Sequence, residues 1–93
     1  PKVLDRLNVV VTAGPTFERI DAVRGLTNLS SGRMGYAVAR AARDAGARVA
    51  LVTGPTMLTP PGGVRVIRVT SAQDMLEAVE RALSDCHIFV SVA

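Results

Sequence analysis

Four short runs of β-branched residues divide the chain, and each has the pattern of a buried strand. The first, NVVVTA (Asn8 to Ala13), is closed by a Gly-Pro pair, and RVALVTGP (Arg48 to Pro55) repeats that design. The third, VRVIRV (Val64 to Val69), alternates, so that Val64, Val66 and Ile67 are available to a core while its two arginines face water. HIFVSVA (His87 to Ala93) is predicted as the fourth strand.

Two helices are predicted between these strands, because apolar residues recur there with a period of about 3.6. The first begins at Arg33 and ends before Gly46, a residue that favours a left-handed helix terminus. The second runs from about Ala72 to Ser84, and Ser71 with Asp74 resembles a capping box. The side chains expected to face the core are Met34, Ala37, Val38, Ala41 and Ala45 in the first helix, and Met75, Leu76, Val79, Ala82 and Leu83 in the second.

The order strand, helix, strand, strand, helix, strand predicts a parallel sheet that is covered by helices. With right-handed crossovers this is a Rossmann-like α/β fold, in which the four strands take the spatial order 3-2-1-4. The fourth strand would leave an apolar edge, and natural sheets pair or cover such edges. We therefore expect residues 1–93 to be the first half of a nucleotide-binding domain.

Composition argues against several classes of protein. Only 3% of the 93 residues are aromatic, and the net charge of +3 comes with singly scattered arginines, so no nucleic-acid partner is expected. The single cysteine, Cys86, excludes an internal disulfide and a cysteine-built zinc site, and we predict no metal-ligating residues. Neither a signal peptide nor a membrane span is visible, which favours a cytoplasmic protein. His87 is interpreted as structural.

The segment between the first strand and the first helix is the main candidate for a functional site. It runs from Gly14 to about Ser30, whereas strand-to-helix turns usually take about 2 to 6 residues. Ser30, Ser31 and Gly32 then open the helix with small side chains, hydroxyls and the backbone N–H groups of a helix start, which together favour an anion. Because ligands of such sheets bind at the carboxyl ends of the strands, we expect a phosphate group there, beside Gly14. A serine that only caps the helix is the alternative.

Two common phosphate-binding motifs are absent. A dinucleotide fingerprint needs G-x-G-x-x-G directly after the strand and an acidic residue at the end of the second strand. Here Gly14 is followed by Pro15, and the second strand ends in TGP. A P-loop needs Lys and then Ser or Thr after its last glycine, but Gly32 is followed by Arg33 and Met34. A nucleotide or phosphoester site of a less common kind remains.

The segment from Val11 to Gly35 resembles the start of the phosphopantothenoylcysteine synthetase family. It contains VTAGPT, then DAVR, and then TNLSSGRMG, a long element that is far more specific than an isolated glycine motif. The resemblance continues through the alanine-rich helix, VALVTGP and IFVSVA, and so covers nearly the whole chain. In bacteria that domain is usually the carboxyl-terminal half of a bifunctional coenzyme A biosynthesis protein.

The resemblance implies a ligase. Members of that family activate 4′-phosphopantothenate with CTP, or with ATP in many eukaryotic members, and with Mg²⁺. The acyl-cytidylate that forms is then attacked by the amine of cysteine, which gives 4′-phosphopantothenoylcysteine and CMP. Dimerisation is usual in the family, so a homodimer is expected. The resemblance places FMN only in a fused decarboxylase domain outside this chain.

The resemblance also implies roles for individual residues. Asn28 matches the family asparagine that acts on the acyl-nucleotide intermediate, and Arg24 matches an arginine of the same loop that would pair with a phosphate or carboxylate. The nucleotide is implied to contact small residues and strand ends, namely Gly14, Ser30, Ser31, Gly32, Gly35, Ser91, Val92 and Ala93.

The chain departs from the family pattern at Phe17, Arg19, Ala22 and Gly25. Gly25 stands where the family commonly has a bulky residue, which leaves the conformation of the loop beside Arg24 open. The acidic residue and the lysine-bearing loop that the family needs lie beyond residue 93, so this chain alone is expected to be inactive. An NAD(P)-binding oxidoreductase fragment and a non-catalytic nucleotide-binding module are the alternative functions.

Overall fold

The computed structural model describes residues 2–19, 25–27 and 32–92. In chain order, the elements in these ranges are β1 (Asn8–Ala13), β2 (Phe17–Arg19), β3 (Gly25–Thr27), α1 (Arg33–Asp44), β4 (Arg48–Thr53), β5 (Arg65–Arg68), α2 (Ala72–Ala82), a 3₁₀ turn (Leu83–Asp85) and β6 (Ile88–Ser91). The first strand and the start of each helix lie where the sequence predicts them. The other three predicted strands are shorter than their sequence patterns.

The main sheet has four parallel strands in the order β5-β4-β1-β6. In the numbering of the four predicted strands this is 3-2-1-4, so the predicted Rossmann-like α/β fold is confirmed. β1 is central, and its Val9 lies beside Val49 of β4 and Ile88 of β6. Such a strand is buried on both faces, which explains why β1 is a nearly continuous apolar run.

The two helices cover opposite faces of this sheet. Successive side chains of a strand alternate between faces, so Val9, Val11 and Leu51 pack in the cluster of α1 while Val10 and Val52 pack in the cluster of α2. Full burial of a valine or leucine side chain contributes roughly 1.5–3 kcal/mol. The two faces together therefore hold both helices on the sheet.

The buried face of α1 differs from the predicted one. The buried residues of this helix are Gly35, Tyr36, Ala39 and Ala42. Met34, predicted as a core residue, is 70% exposed. α1 carries alanines on several sides, so a register shifted by one residue has nearly the same apolar content. Contact with β1 then selects the register that turns the smallest residue toward the strand.

The buried face of α2 is confirmed in part. Met75 and Val79 are buried as predicted, together with Ala78. Leu76 and Leu83 were also predicted to face the core, but their exposed fractions are 52% and 42%. Leu76 lies outside the narrow stripe along which the helix contacts the sheet, and Leu83 belongs to the 3₁₀ turn that follows the helix.

Three predicted features of the helix ends can be checked. Ser71 and Asp74 form the capping box, since the Ser71 hydroxyl accepts from the backbone N–H of Asp74 at 3.0 Å and the Asp74 carboxylate accepts from that of Ser71 at 3.3 Å. Gly46 has a φ of +100°, as a left-handed terminator requires. The N-cap residue of α1 is Gly32, not a serine as in the alternative interpretation of this helix start.

His87 is structural, as predicted, but it has a partner. Its Nδ1 accepts the backbone N–H of Asn8 at 2.8 Å, and the backbone N–H of His87 donates to the carbonyl of Asn8 at 2.9 Å. These two bonds fix the start of β6 beside the start of β1. Cys86 is a free, half-buried thiol next to it.

A short antiparallel hairpin in the long polar segment was not predicted. β2 and β3 pair with each other, with Phe17 opposite Thr27 and Arg19 opposite Gly25. FER and GLT are too short for alternation to be recognised in the sequence. In chain order the hairpin lies between β1 and α1.

β6 pairs with β1, and no other described strand lies on its outer side. Phe89 of β6 has an exposed fraction of 44%. The interpretation of residues 1–93 as the first half of a domain stays a prediction. Among the described residues, neither helix has both the length and the apolar content that crossing a membrane requires.

Candidate functional site

The first turn of α1 lies directly on the carboxyl end of β1. A Cβ atom at Gly32 would be 2.6 Å from the carbonyl oxygen of Gly14, and one at Gly35 would be 2.5 Å from the Cβ of Ala13. Real Cβ atoms do not approach other heavy atoms so closely, so both positions require glycine. Gly32 also has a φ of +82°, which glycine adopts without a steric cost. The glycines thus set how closely the helix approaches the strand.

This helix start has the electrostatic character of an anion site. The first N–H groups of a helix have no partner within the helix, and its dipole is positive at this end. The first turn of α1 has no acidic residue. A cleft of about 240 Å³ runs along the same part of the helix, and Arg33, Tyr36 and Arg40 line it opposite Leu58 and Thr59. The edge therefore combines backbone donors with positive side chains.

Two Gly-Pro segments, Gly14-Pro15 after β1 and Gly54-Pro55 after β4, are packed against each other. The backbone N–H of Gly54 donates to the carbonyl of Ala13 at 3.0 Å. A Cβ atom at Gly54 would overlap with the carbonyl group of Pro15. This close contact joins the carboxyl ends of β1 and β4. Gly54 is thus required by packing, whereas the sequence left open whether its Gly-Pro pair only ends a strand.

Three polar residues at this edge were not singled out from the sequence. The hydroxyl of Tyr36 lies 3.1 Å from Oγ1 of Thr53, and the hydroxyl of Thr53 donates to the carbonyl of Gly54 at 2.9 Å. Oγ1 of Thr12 accepts the backbone N–H of Val92 at 3.1 Å. A threonine precedes the glycine closely in both VTAGPT and VTGPT, and that repetition was the available signal.

The structure brings together the predicted site residues that it describes. Gly14 and Gly32 are in contact, and Gly35 lies one turn further along α1. Ser91 is exposed and lies opposite Thr12 in the β1–β6 register, at the same edge of the sheet. Gly14 is buried beneath the start of α1, so its carbonyl contacts the helix. These positions agree with a common site but leave the roles of the residues as predictions.

The other predicted site residues lie outside the described residues. They are Arg24, Asn28, Ser30, Ser31 and Ala93. Their roles stay predictions. No group of three or more His, Cys, Asp or Glu side chains that could hold a metal ion occurs in the part of the chain that the structure describes.

The end of β4 does not fit a dinucleotide site. In that class of protein an acidic residue in this place binds the ribose. Here the strand ends in Thr53, which is fully buried and hydrogen-bonded within the core. Gly54 and Pro55 follow it. No described residue at this strand end therefore supports the NAD(P)-binding alternative.

Comparison with known proteins identifies the family. A family model described as "DNA/pantothenate metabolism flavoprotein C-terminal domain" matches residues 4–93. The coenzyme A biosynthesis bifunctional protein CoaBC of Vibrio parahaemolyticus is 52% identical over 93 residues, which are all of this chain and 23% of that protein. The chain thus spans less than a quarter of the length of the curated relatives it matches.

Two solved structures have the same fold. The crystal structure of the C-terminal domain of a coenzyme A biosynthesis bifunctional protein CoaBC superposes with a TM-score of 0.96 at 48% identity, over all of this chain and 47% of the other. The DNA/pantothenate metabolism flavoprotein from Streptococcus pneumoniae gives a TM-score of 0.82 at 29% identity, over 91% of this chain and 40% of the other.

These comparisons confirm the predicted relation to bifunctional coenzyme A biosynthesis proteins and correct the predicted activity. The matching family is described as a flavoprotein domain, and none of these descriptions names a synthetase, a ligase or CTP. The interpretation as a CTP-dependent phosphopantothenate–cysteine ligase with Mg²⁺ is contradicted by that description and is withdrawn. The family description instead associates a flavin with proteins of this kind.

The described residues fit a phosphate group better than a flavin ring. Glycines and helix N–H groups at the carboxyl edge suit a phosphate. A flavin ring needs a broad apolar or aromatic wall. Of the aromatic side chains that the structure describes, Tyr36 is buried, and Phe89 lies in β6 opposite Val10, away from this edge. We therefore derive no flavin chemistry from this edge. The match over residues 4–93 still shows that the chain belongs to the family of DNA/pantothenate metabolism flavoprotein C-terminal domains.

Proposed function

We propose that this chain binds the phosphate group of a nucleotide at the carboxyl edge of its sheet, as part of a protein of coenzyme A biosynthesis. One observation carries the proposal. Gly32 and Gly35 bring the first turn of α1 against the end of β1. In parallel α/β sheets that junction is where phosphates meet helix N–H groups.

The charge and size of the surrounding residues support the same ligand. Arg33 and Arg40 line the cleft beside the helix start, and the first turn of α1 contains no carboxylate that would repel an anion. Gly14, Gly32 and Gly35 are buried at this junction, and without side chains at Gly32 and Gly35 the helix start lies close to the strand end. In this proposal Ser30 and Ser31 add hydroxyl donors.

The remaining predicted site residues have places in the proposal. Arg24 supplies a charged donor and Asn28 a neutral one from the loop before α1. Ser91, Val92 and Ala93 border the nucleotide at the end of β6. A homodimer without a nucleic-acid partner also belongs to the proposal. The relatives from Vibrio parahaemolyticus and Escherichia coli are both named coenzyme A biosynthesis bifunctional proteins, which supports the metabolic context.

Calorimetric titration of the full-length protein tests the proposal. FMN, ATP, CTP and NADPH would be compared with riboflavin, adenosine and cytidine. We expect at least one phosphate-bearing compound to bind roughly tenfold or more tightly than its unphosphorylated counterpart, because charged hydrogen bonds to a phosphate are worth about 1.5–3 kcal/mol.

A pair of charge variants locates the binding. Met34→Glu puts a carboxylate in the first turn of α1, at a side chain that is 70% exposed. Repulsion between this carboxylate and the phosphate should lower the affinity for the nucleotide roughly three- to tenfold. Val3→Glu is the matched control, since Val3 is 75% exposed and belongs to the segment that contacts the other end of α1. A nucleotide that binds equally well to both variants lies elsewhere, and the proposal would fail.

A further inference from the structure

A second cleft lies at the opposite edge of the sheet, beneath the last turn of α2. Its volume is about 320 Å³. Arg48, Arg65, Arg81 and Asp85 line it, and Val10 and Ala50 form its apolar floor. We propose that this cleft is a second anion site, which binds a small phosphate-bearing molecule independently of the carboxyl edge.

The register of the sheet brings the arginines of two strands together. Arg65 of β5 lies opposite Ala50 of β4, and Arg48 precedes Ala50 by two residues. Side chains two residues apart share a face, so Arg48 and Arg65 both project from the face that α2 covers. Diagonal neighbours on one face of a sheet are about 7–8 Å apart. That spacing lets both guanidinium groups reach one phosphate.

The helix supplies the third arginine. α2 returns the chain from the end of β5 to the start of β6, so its last turn lies at the amino ends of the strands. Arg81 is in that turn, and the 3₁₀ turn that follows carries Asp85. The cleft is therefore enclosed by charged side chains from two strands and a helix end.

None of these three guanidinium groups makes an ion pair or a side-chain hydrogen bond with a residue in the described ranges. Arg43 is different, because it pairs with Asp44 at 2.9 Å and donates to the carbonyl of Gly62 at 2.9 Å. Three positive charges against the single carboxylate of Asp85 give the cleft a net positive charge. An anion is the ligand that this arrangement favours.

The wall that carries Asp85 is held in place by Asn8. The Asn8 side-chain amide donates to the backbone carbonyl of Asp85 at 2.8 Å, and the Asn8 backbone is tied to His87 on both sides. These bonds use the backbone of Asp85 and leave its carboxylate to the cleft. The cleft thus has a fixed wall against which a ligand can be oriented.

The chemistry of the lining selects the class of ligand. Guanidinium groups match phosphate oxygens in a planar, bidentate geometry. The volume is at the lower end of the range for small-molecule sites, about 300–1,000 Å³, which suits a small phosphate ester. Its carbon skeleton would contact Val10 and Ala50, and Asp85 would accept a hydrogen bond from a hydroxyl or amine of the ligand.

Inorganic pyrophosphate is the probe for the test, with full-length protein that carries Met34→Glu to weaken the site at the carboxyl edge. Calorimetry measures the affinity, and modification of arginines by phenylglyoxal, read by mass spectrometry, locates the site. We expect pyrophosphate to protect Arg48, Arg65 and Arg81. Arg65→Gln or Arg81→Gln should weaken binding roughly three- to tenfold.

Asp85→Asn is the decisive variant, because it is expected to raise the affinity for pyrophosphate rather than lower it. It removes the one carboxylate of the cleft and should tighten pyrophosphate binding about two- to threefold, which damage to the fold would not do. Arg68→Gln, at the exposed opposite end of β5, controls for the loss of one positive charge and should change little. Absence of binding, absence of protection, or equal effects of Arg65→Gln and Arg68→Gln would overturn the proposal. Loss of nucleotide binding at the carboxyl edge alone would not affect it.

Discussion

The hydroxyl of Tyr36 lies 3.1 Å from Oγ1 of Thr53, and this contact joins the first helix to the end of the neighbouring strand. Both side chains are buried, with exposed fractions of 3% and 0%. Thr53 uses its own proton in a hydrogen bond to the carbonyl of Gly54, so the Tyr36 hydroxyl is the donor to Thr53. The pair therefore fixes α1 over β4 directly behind the proposed phosphate site.

Loss of the Tyr36 hydroxyl and loss of the Thr53 hydroxyl should both reduce the free energy of unfolding, but by different amounts. Tyr36→Phe leaves the Thr53 hydroxyl bonded to Gly54, so a loss of about 1 kcal/mol in the free energy of unfolding is expected. Thr53→Val leaves the buried Tyr36 hydroxyl without its partner and should cost roughly 1–3 kcal/mol. Urea unfolding of both single variants and the double variant gives the coupling energy. Strictly additive losses would show that the two side chains do not interact.

Gly35 should tolerate no side chain. Gly35→Ala would place a Cβ atom 2.5 Å from that of Ala13 and 2.9 Å from its Cα, so α1 must move away from β1. Overpacking of this kind costs roughly 1–3 kcal/mol. Gly62→Ala is the matched control, because a Cβ there has no heavy atom within 4 Å. Thermal unfolding should separate the two variants, and equal melting temperatures would contradict the described packing of α1.

The fold was largely predictable because its strands are strongly patterned. Asn8–Ala13 has the predicted bounds, and the strand order follows from short right-handed crossovers. The prediction of which face of α1 is buried was wrong, because the sequence of an alanine-rich helix carries little information about which side faces the core. Met34 is exposed and Gly35 is buried because contact with the end of β1, a tertiary effect, decides between adjacent registers.

The candidate site was predictable in its place but not in its contacts. Gly14 and Gly32 could be singled out from their positions at a strand end and a helix start. The bond between Tyr36 and Thr53 could not, because the two residues are 17 positions apart and neither has a distinctive motif. The arginines of the second cleft are likewise scattered in the sequence, and only the β4–β5 register brings Arg48 near Arg65.

The capping box of α2 should contribute measurably to stability. Ser71→Ala removes the acceptor of the Asp74 N–H, and the expected loss in the free energy of unfolding is about 1 kcal/mol. Ser71→Asp keeps an acceptor at the same position and should retain most of that stability. Ser84→Ala serves as the control, because that hydroxyl is exposed and its contact with the Arg81 carbonyl is 3.5 Å long. If Ser71→Ala and Ser84→Ala unfold at the same urea concentration, the cap contributes nothing.

Gly32 and Gly63 separate two reasons for which a position can require glycine. Both have a positive φ, +82° and +75°, a conformation that asparagine adopts more readily than other side chains. A Cβ at Gly63 has only the Arg43 side chain nearby, at 3.7 Å, whereas at Gly32 it meets the Gly14 carbonyl at 2.6 Å. Gly63→Asn should therefore cost less than about 1 kcal/mol. Gly32→Asn should cost more and also displace the start of α1.

The displacement makes Gly32→Asn a test of the phosphate site as well as of the fold. In the Gly32→Asn variant, the backbone N–H groups at the start of α1 would move away from the end of β1. Nucleotide affinity should therefore fall roughly tenfold or more in variant protein that is still folded. Circular dichroism first establishes that both variants are folded, and calorimetry with the nucleotide that binds the unmodified protein then compares them. Gly63→Asn should keep that affinity within about twofold, because a Cβ there lies near Arg43 alone, at 3.7 Å, and Arg43 belongs to the last turn of α1 rather than the first. Equal affinities for the two variants would show that close approach of α1 to β1 is not what binds the phosphate.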